Sequence, residues 1–340
     1  MRSPCRRWST ARTMLVLTVL GGGVAGCAGE DRSSDCVMRE LADLPVLNDR
    51  GSPVVRAAIN GTPVAFIVDS GAGLSMIGQI DTDTLALPVS FENRHIITGI
   101  GGSVFAPDAT IHELSLGNTV ARNVPFVSVG AFKAHYDGLK VVGLFGGDFL
   151  ANYDVEFDLP AHHVVLYTEG GHCGAHITPW AGSFDEQPFE LNNGTEIDFK
   201  MNVNNKAVDA VLDSGATYTV LNPDAANSAG VTAASMAADR KTRSSGVDGN
   251  LVTGHRHRFE SLTVGSERFS PVFVNVADIP KTLLGADFLH THRVWVSYPH
   301  EMLYMQPVRR IRTVPATGPA GQAPPPVPAA RAGEPAPAAR

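Results

Sequence analysis

Eight residues, FIVDSGAG, occupy Phe66 to Gly73, and a near copy, AVLDSGAT, occupies Ala210 to Thr217. The two Asp residues lie 144 positions apart, and the flanking sequence aligns at that offset without gaps. VVRAAINGTPVAFIVDSGA runs from Val54 and DFKMNVNNKAVDAVLDSGA from Asp198. Each reads as an alternating strand, a tight turn at Asn60-Gly61 or Asn204-Asn205, and a second apolar strand, because Asn and Gly tolerate the positive φ of a two-residue hairpin. Both Asp residues therefore fall where a strand runs into a turn. A second matched pair, LFGGDFLANYDVEFDLPAHHVVLY from Leu144 and LLGADFLHTHRVWVSYPHEMLYMQ from Leu283, repeats at an offset of 139. Each carries two apolar residues, a Gly, a short DFL helical turn and a hairpin bending near Pro160 or Pro299. Two long copies predict two similar lobes, since a solenoid needs shorter periods and more copies.

Between the matched pairs each half holds a glycine-rich segment, IITGIGGSVFA from Ile96 and RSSGVDGNLVTG from Arg243, which reads as a projecting hairpin. The pattern is strand-rich throughout, with little helical periodicity. One lobe is expected over residues 45–168 and the other over 177–307, with 169–176 as connector. The chain opens with MRSPCRRWSTARTMLVLTVLGGGVAGC, whose arginines, apolar run and small residues have the layout of a secretory signal over residues 1–26. Val24-Ala25-Gly26-Cys27 resembles the lipobox of bacterial lipoproteins, which implies a lipid on Cys27, an exported, periplasmic and membrane-anchored protein, and a tether over 27–44. Ordinary cleavage with a spare thiol is the alternative. Cys36 and Cys173 then remain in an oxidising compartment, as a disulfide or as two free thiols. Without the signal, 23 basic residues face 34 acidic ones, a net charge of −11 that argues against nucleic-acid binding. Residues 308–340 are rich in Pro and Ala and lack the apolar bulk to form a core, so a disordered tail is expected.

A single Asp-Ser-Gly is ordinary turn chemistry. Its duplication at equivalent places in two lobes lets Asp69 and Asp213 meet across a pseudo-twofold axis. Two carboxylates at close quarters share one proton over a wide pH range. The ionised member then takes a proton from water while the protonated member polarises a carbonyl, which is the chemistry of peptide hydrolysis without a covalent intermediate. Gly71 and Gly215 allow a sharp turn beside each carboxylate. Ser70 and Ser214 point away from the site and are placed to hydrogen-bond the opposite loop. Neither reads as a nucleophile, because no His repeats at a matching place to serve as its base.

VDSGAG, LDSGAT, LFGGDFL and LLGADFL resemble the active-site loop and the apolar-apolar-Gly element of aspartic proteases, from about Val54 to Gln306. With Ala72 and Ala216 after the glycines, the chain resembles a retropepsin dimer fused into one polypeptide. The resemblance implies a mostly β, bilobal acid-protease fold with two retropepsin-like β-barrel lobes. It also implies catalytic Asp69 and Asp213, flaps at Gly99, Ile100, Gly101 and Gly102 and at Gly246 and Val247, a polypeptide substrate, no cofactor and a monomer. The Arg and acidic partner common in retroviral members are both absent; Gly147 or Ala286, and Gly73 or Thr217, stand there. The second flap, with Val247-Asp248-Gly249, is less apolar than the first, so the halves are expected to have specialised.

Three other readings compete with this one. Glycoside hydrolysis also uses two carboxylates, but nothing in it requires identical loops on duplicated lobes. A catalytically inactive peptide-binding or scaffolding lipoprotein would keep the fold, yet it gives no reason for Asp, Ser, Gly and Ala to persist in both loops. His172, Cys173 and His176, with His162 or His163, lack the fixed spacing of a metal site, so no metal is expected. Asp148 and Asp287 recur at the starts of the helical turns and read as caps of backbone amides.

Pepsin-like enzymes often place a hydroxyl where Ala72 and Ala216 stand. Its absence predicts less suppression of the carboxylate pKa values and hydrolysis nearer neutral pH. A pH profile of the mature protein checks this, and an optimum well below the carboxylate range contradicts it.

Overall fold

Asn60 and Gly61 adopt φ of 48° and 81°, and Asn204 and Asn205 adopt 48° and 62°. Two successive positive φ values are what a two-residue hairpin turn requires. The turns join strand Val54–Ile59 to Thr62–Val68 and strand Glu196–Val203 to Lys206–Leu212. This computed structural model describes residues 36–99, 102–171, 173, 180–245 and 251–308. The expected signal, Cys27 and all of the tail but Val308 lie outside them.

The chain is mostly β, in two lobes. In the first, Val54–Ile59 pairs with both Thr62–Val68 and Gly102–Leu116, which closes the sheet into a barrel. In the second, the equivalent sheet runs from Arg240–Ser245 to Glu267–Phe269 and stays open. In both lobes the strand that ends at the Asp lies parallel to a strand from the later motif: Val68 pairs with Phe145, and Leu212 with Leu284. The core is aliphatic with a stacked aromatic run in the first lobe, Phe66 on Phe145 and Phe145 on Phe149, at centroid distances of 4.5 and 4.7 Å.

The two later hairpins do not stay within their own lobes. Asp154–Asp158 pairs antiparallel with His292–Ser297, so the hairpins form the middle of a single six-stranded sheet beneath both halves. Its edges are Val37–Pro45 and Asp185–Pro188. Val37–Pro45 overlaps the segment expected as a tether; it is instead a paired strand, with Ala42 and Leu44 buried and register partners from Gly170 to His163. Cys36, just before it, is disulfide-bonded to Cys173, closing a separation of 137 residues and fixing the strand at that edge. Cross-links of long loops typically contribute about 2–4 kcal/mol, by limiting the unfolded chain.

Buried charge ties the sheet's halves. Glu156, 1% exposed, accepts hydrogen bonds from the Tyr167 hydroxyl at 2.9 Å and the Trp180 indole at 3.0 Å, and it pairs with Arg293 of the other lobe. The Arg293 guanidinium lies 5.0 Å from the Trp180 ring centroid. With each ion met by several partners, the pair avoids the cost of isolated buried charge. Asp154 is different: it has the Trp295 indole at 3.3 Å but, among the described residues, no Lys or Arg paired with it, and burial, with Glu169 nearby, pushes its carboxyl up to about 6.

A carboxyl whose pKa is raised on folding holds its proton more tightly in the native state. Its contribution is therefore most favourable at low pH and declines as the pH rises through the folded value. Wild type is expected to lose up to about 3 kcal/mol relative to Asp154→Asn between about pH 4 and pH 6, read by urea unfolding across that range.

Candidate active site

Each DSGA loop is held at both ends by backbone bonds to the later motif. Asp69 N–H donates to Phe145 O at 2.9 Å, and Gly147 N–H donates to Ala72 O at 2.7 Å. The second loop repeats this, Asp213 N–H to Leu284 O at 2.9 Å and Ala286 N–H to Ala216 O at 2.8 Å. Sequence offset alone equates the two loops; this shared bonding makes them equivalent in space.

The loops then lock to each other through Ser70 and Ser214, both fully buried. The Ser70 hydroxyl donates to Leu212 O at 2.7 Å and accepts from Ser214 N–H at 3.0 Å. The Ser214 hydroxyl donates to Val68 O at 2.7 Å and accepts from Ser70 N–H at 2.9 Å. Four reciprocal bonds from the two hydroxyls to strand-end backbone groups leave the lobes one register.

This register brings the carboxyls together. A Cβ on Gly71 would intrude on the Asp213 carboxyl, and one on Gly215 on that of Asp69, so each acid lies over the other loop's glycine. Asp69 Oδ1 accepts the amides of Gly71 and Ala72 at 3.0 and 3.1 Å, and Asp213 Oδ1 accepts that of Ala216 at 2.8 Å. Burial, then the charge of Asp213, holds the Asp69 carboxyl well above the usual range. Asp213 is also raised by burial, against the opposing pull of the Ala216 amide and of a hydrogen bond from Asp69. With both carboxyls raised, the two titrate as one coupled pair that holds a single proton between them.

Asp148 and Asp287 do more than cap their helical turns. Besides the amides of Phe149 and Phe288, Asp148 Oδ1 accepts the amide and hydroxyl of Ser75 at 2.8 and 2.6 Å, and Asp287 Oδ1 those of Thr219 at 2.9 and 2.8 Å. They staple the chain leaving each active-site loop. Ser75 and Thr219 were missed in the sequence although they share the 144-residue offset and a hydroxyl. Ser52, whose hydroxyl donates to Gly215 O at 2.6 Å, has no repeated counterpart to betray it. The same is true of Tyr298, a buried phenol raised by burial and by Asp69.

The first flap strands, Val89–Gly99 and Gly102–Leu116, pair up to Gly99 opposite Gly102. Ile97 and Val104 turn inward toward Ala72 and Leu74, while Ile96 and Phe105 are exposed. The second flap strands are Arg240–Ser245 and Leu251–Phe259. Ile100, Gly101, Gly246 and Val247 lie outside the described residues, as do His172 and His176. Of the histidine group considered for metal, His163 pairs with Asp43 at 2.6 Å, and Cys173 is in the disulfide. A cavity of about 270 Å³ opens beside the second loop, lined by Arg50, Ser52, Ile67, Tyr136 and Thr217 among others.

Gly71→Ala is expected to push the carboxyls apart and bring Asp69 down toward the ordinary carboxylate range, followed by NMR titration of the labelled carboxyls. Ser70→Ala strands buried backbone groups and should lower stability by about 1–3 kcal/mol in urea unfolding.

The profile of the family described as aspartyl protease matches residues 55–149 and 199–288, one stretch in each lobe. No curated protein matches the sequence. Among solved structures, an aspartic proteinase from Irpex lacteus is similar at 14% identity and a TM-score of 0.47, over 78% of this chain and 97% of that one.

Proposed function

The chain belongs to the aspartyl protease family, whose profile it matches in both halves, and we propose that it is an endopeptidase working through the Asp69–Asp213 pair. The observation that carries this is the mutual approach of two raised, coupled carboxyls, each set over the opposite glycine.

The ionised Asp213 takes a proton from a water molecule, whose oxygen attacks the peptide carbonyl carbon. Asp69 gives its proton to the carbonyl oxygen, yielding a neutral tetrahedral diol. Collapse of the diol moves a proton to the amide nitrogen as the C–N bond breaks, and the pair returns to its singly protonated state. The amides of Gly71, Ala72 and Ala216 hold the carboxyl oxygens that do not exchange protons, which fixes the pair's orientation. The substrate lies extended beneath the flap hairpins, adding its backbone as a strand. Two such halves in one chain complete the site, so a monomer suffices. Export and a lipid on Cys27 complete the proposal and rest on the signal-like first 27 residues.

Incubating the mature protein with a diverse peptide pool should give cuts blocked by a statine-type inhibitor. Asp69→Asn and Asp213→Asn should each lower the rate by more than about 100-fold while the unfolding midpoint shows a folded protein. Unchanged hydrolysis in both variants overturns the assignment. An inert wild type would favour a peptide-binding role for the same fold. In cells, Cys27→Ser should move the protein from the membrane to the soluble fraction.

A further inference from the structure

The cavity of about 270 Å³ opens against both acid loops. Ile67 lines it from the first lobe, two residues before Asp69 on the strand that delivers that acid. Thr217, next after Ala216, lines it from the second lobe. Ser52, also in the lining, ties the cavity to the chemistry: its hydroxyl donates to Gly215 O at 2.6 Å, and a Cβ on Gly215 would meet the Asp69 carboxyl. The cavity therefore stands directly beside the acid pair, where a side chain of a peptide lying across that pair enters it.

Much of the wall is apolar, since Val54, Val141, Ile67 and Tyr136 belong to one packed cluster. Its polar groups are of one kind. Arg50 is exposed, and among the described residues its guanidinium has no hydrogen bond and no acid partner; only its backbone oxygen is engaged, by Asn48. The hydroxyls of Thr217 and Tyr136 likewise have no partner among those residues, and no carboxylate lines the cavity. The two acids nearest in sequence are turned to other groups, Asp137 to Arg56 at 2.6 Å and Asp49 to His162 at 3.8 Å. An apolar wall joined to a free guanidinium and two hydroxyls fits a side chain with a methylene body and an anionic end.

The other flank of the acid pair is built differently. A Cβ on Gly51 would fall 3.5 Å from Thr217 Oγ1, and at the 144-residue offset Gly73 and Thr195 repeat that approach at 3.6 Å. The same offset sets Gly194 in place of Arg50 and Glu196 in place of Ser52. Glu196 is bonded to Lys281 at 2.5 Å, which Asp198 also approaches at 3.4 Å, and the charge of Glu196 reaches Asp213. One flank thus presents a cation free of acids, and the other presents two carboxylates sharing one lysine. We propose that the cavity at Arg50 is a specificity subsite for a glutamate side chain of the substrate, on one side of the scissile bond only. The inference rests on the proteolytic reading above. Arg50, with the Thr217 and Tyr136 hydroxyls, holds the carboxylate, while the methylenes lie on Val54, Ile67 and Val141. On the opposite flank Glu196 repels the same group.

The test uses the mature protein and non-cleavable peptides in which a reduced amide replaces the scissile bond, with Glu or Gln at each of the three positions on either side. Affinity is read by calorimetry. On one side of the bond, one position should bind Glu at least about fivefold tighter than Gln, as a partly exposed charge-assisted contact allows. Its mirror position should show no such gain. Arg50→Gln should bring the ratio to about one, and Arg50→Glu should invert it. A ratio near one at every position in wild type, an equal Glu preference on both sides, binding of none of the peptides, or a preference unchanged in Arg50→Gln overturns the proposal. The outcome is separable from the proteolytic reading: a protein that cuts the peptide pool yet shows no Glu preference defeats only this inference, and one that prefers the Glu peptide yet cuts nothing defeats only the other.

Discussion

Four hydrogen bonds made by the Ser70 and Ser214 hydroxyls across the two loops set the geometry on which the rest of the molecule depends. Each hydroxyl both donates to a strand-end carbonyl and accepts an amide of the opposite loop, so neither lobe can slide without breaking bonds that no solvent replaces in a buried site. The carboxyls themselves would rather separate, since burial and mutual repulsion both penalise their charge. Their approach persists because the serine bridge beneath them holds the backbones together, and the stored proton is the chemical result.

The six-stranded sheet acts as the second clamp, farther from the chemistry. Val155 pairs with Val296 and Phe157 with Val294 across its centre, while buried Glu156 and half-buried Arg293 add an ion pair that also engages Trp180. The apolar pairs supply most of the driving force for such a contact, and the satisfied charges restrict it to one alignment. Two clamps of different chemistry thus define one cleft. Within that frame the side chains are free to diverge: Ile97, Ala106 and Val127 of the first lobe stand where the second has Ser244, Gly254 and Asn275. Duplication gave equal backbones, and side-chain substitution on them gave unequal surroundings to a symmetric pair.

Much of this was legible in the chain. Asn60-Gly61 and Asn204-Asn205 announced their turns because local φ requirements decide them, and strand alternation fixed which residues lead into Asp69 and Asp213. The repeated hydroxyls after each Asp carried the serine bridge. Ser75 and Thr219 were equally available at the same offset, but their meaning depends on Asp148 and Asp287, which join them only through a contact some 70 residues long in sequence. Ser52 and Tyr298 have no counterpart in the other half, so no repetition marked them.

Two equivalent strand-turn units, their acids and the glycines that let a carboxyl approach are written in the chain, since these follow from local conformation and from periodicity within a few residues. It took the assembled fold to decide that the later hairpins of both halves merge into one sheet, that Val37–Pro45 completes it, and that Ser52 and Tyr298 come to lie beside the acid loops. Those outcomes depend on which distant strand edges meet and which side chains remain after pairing. The backbone offers the same donors and acceptors at every residue, so its choice of partner is settled by packing of the whole chain.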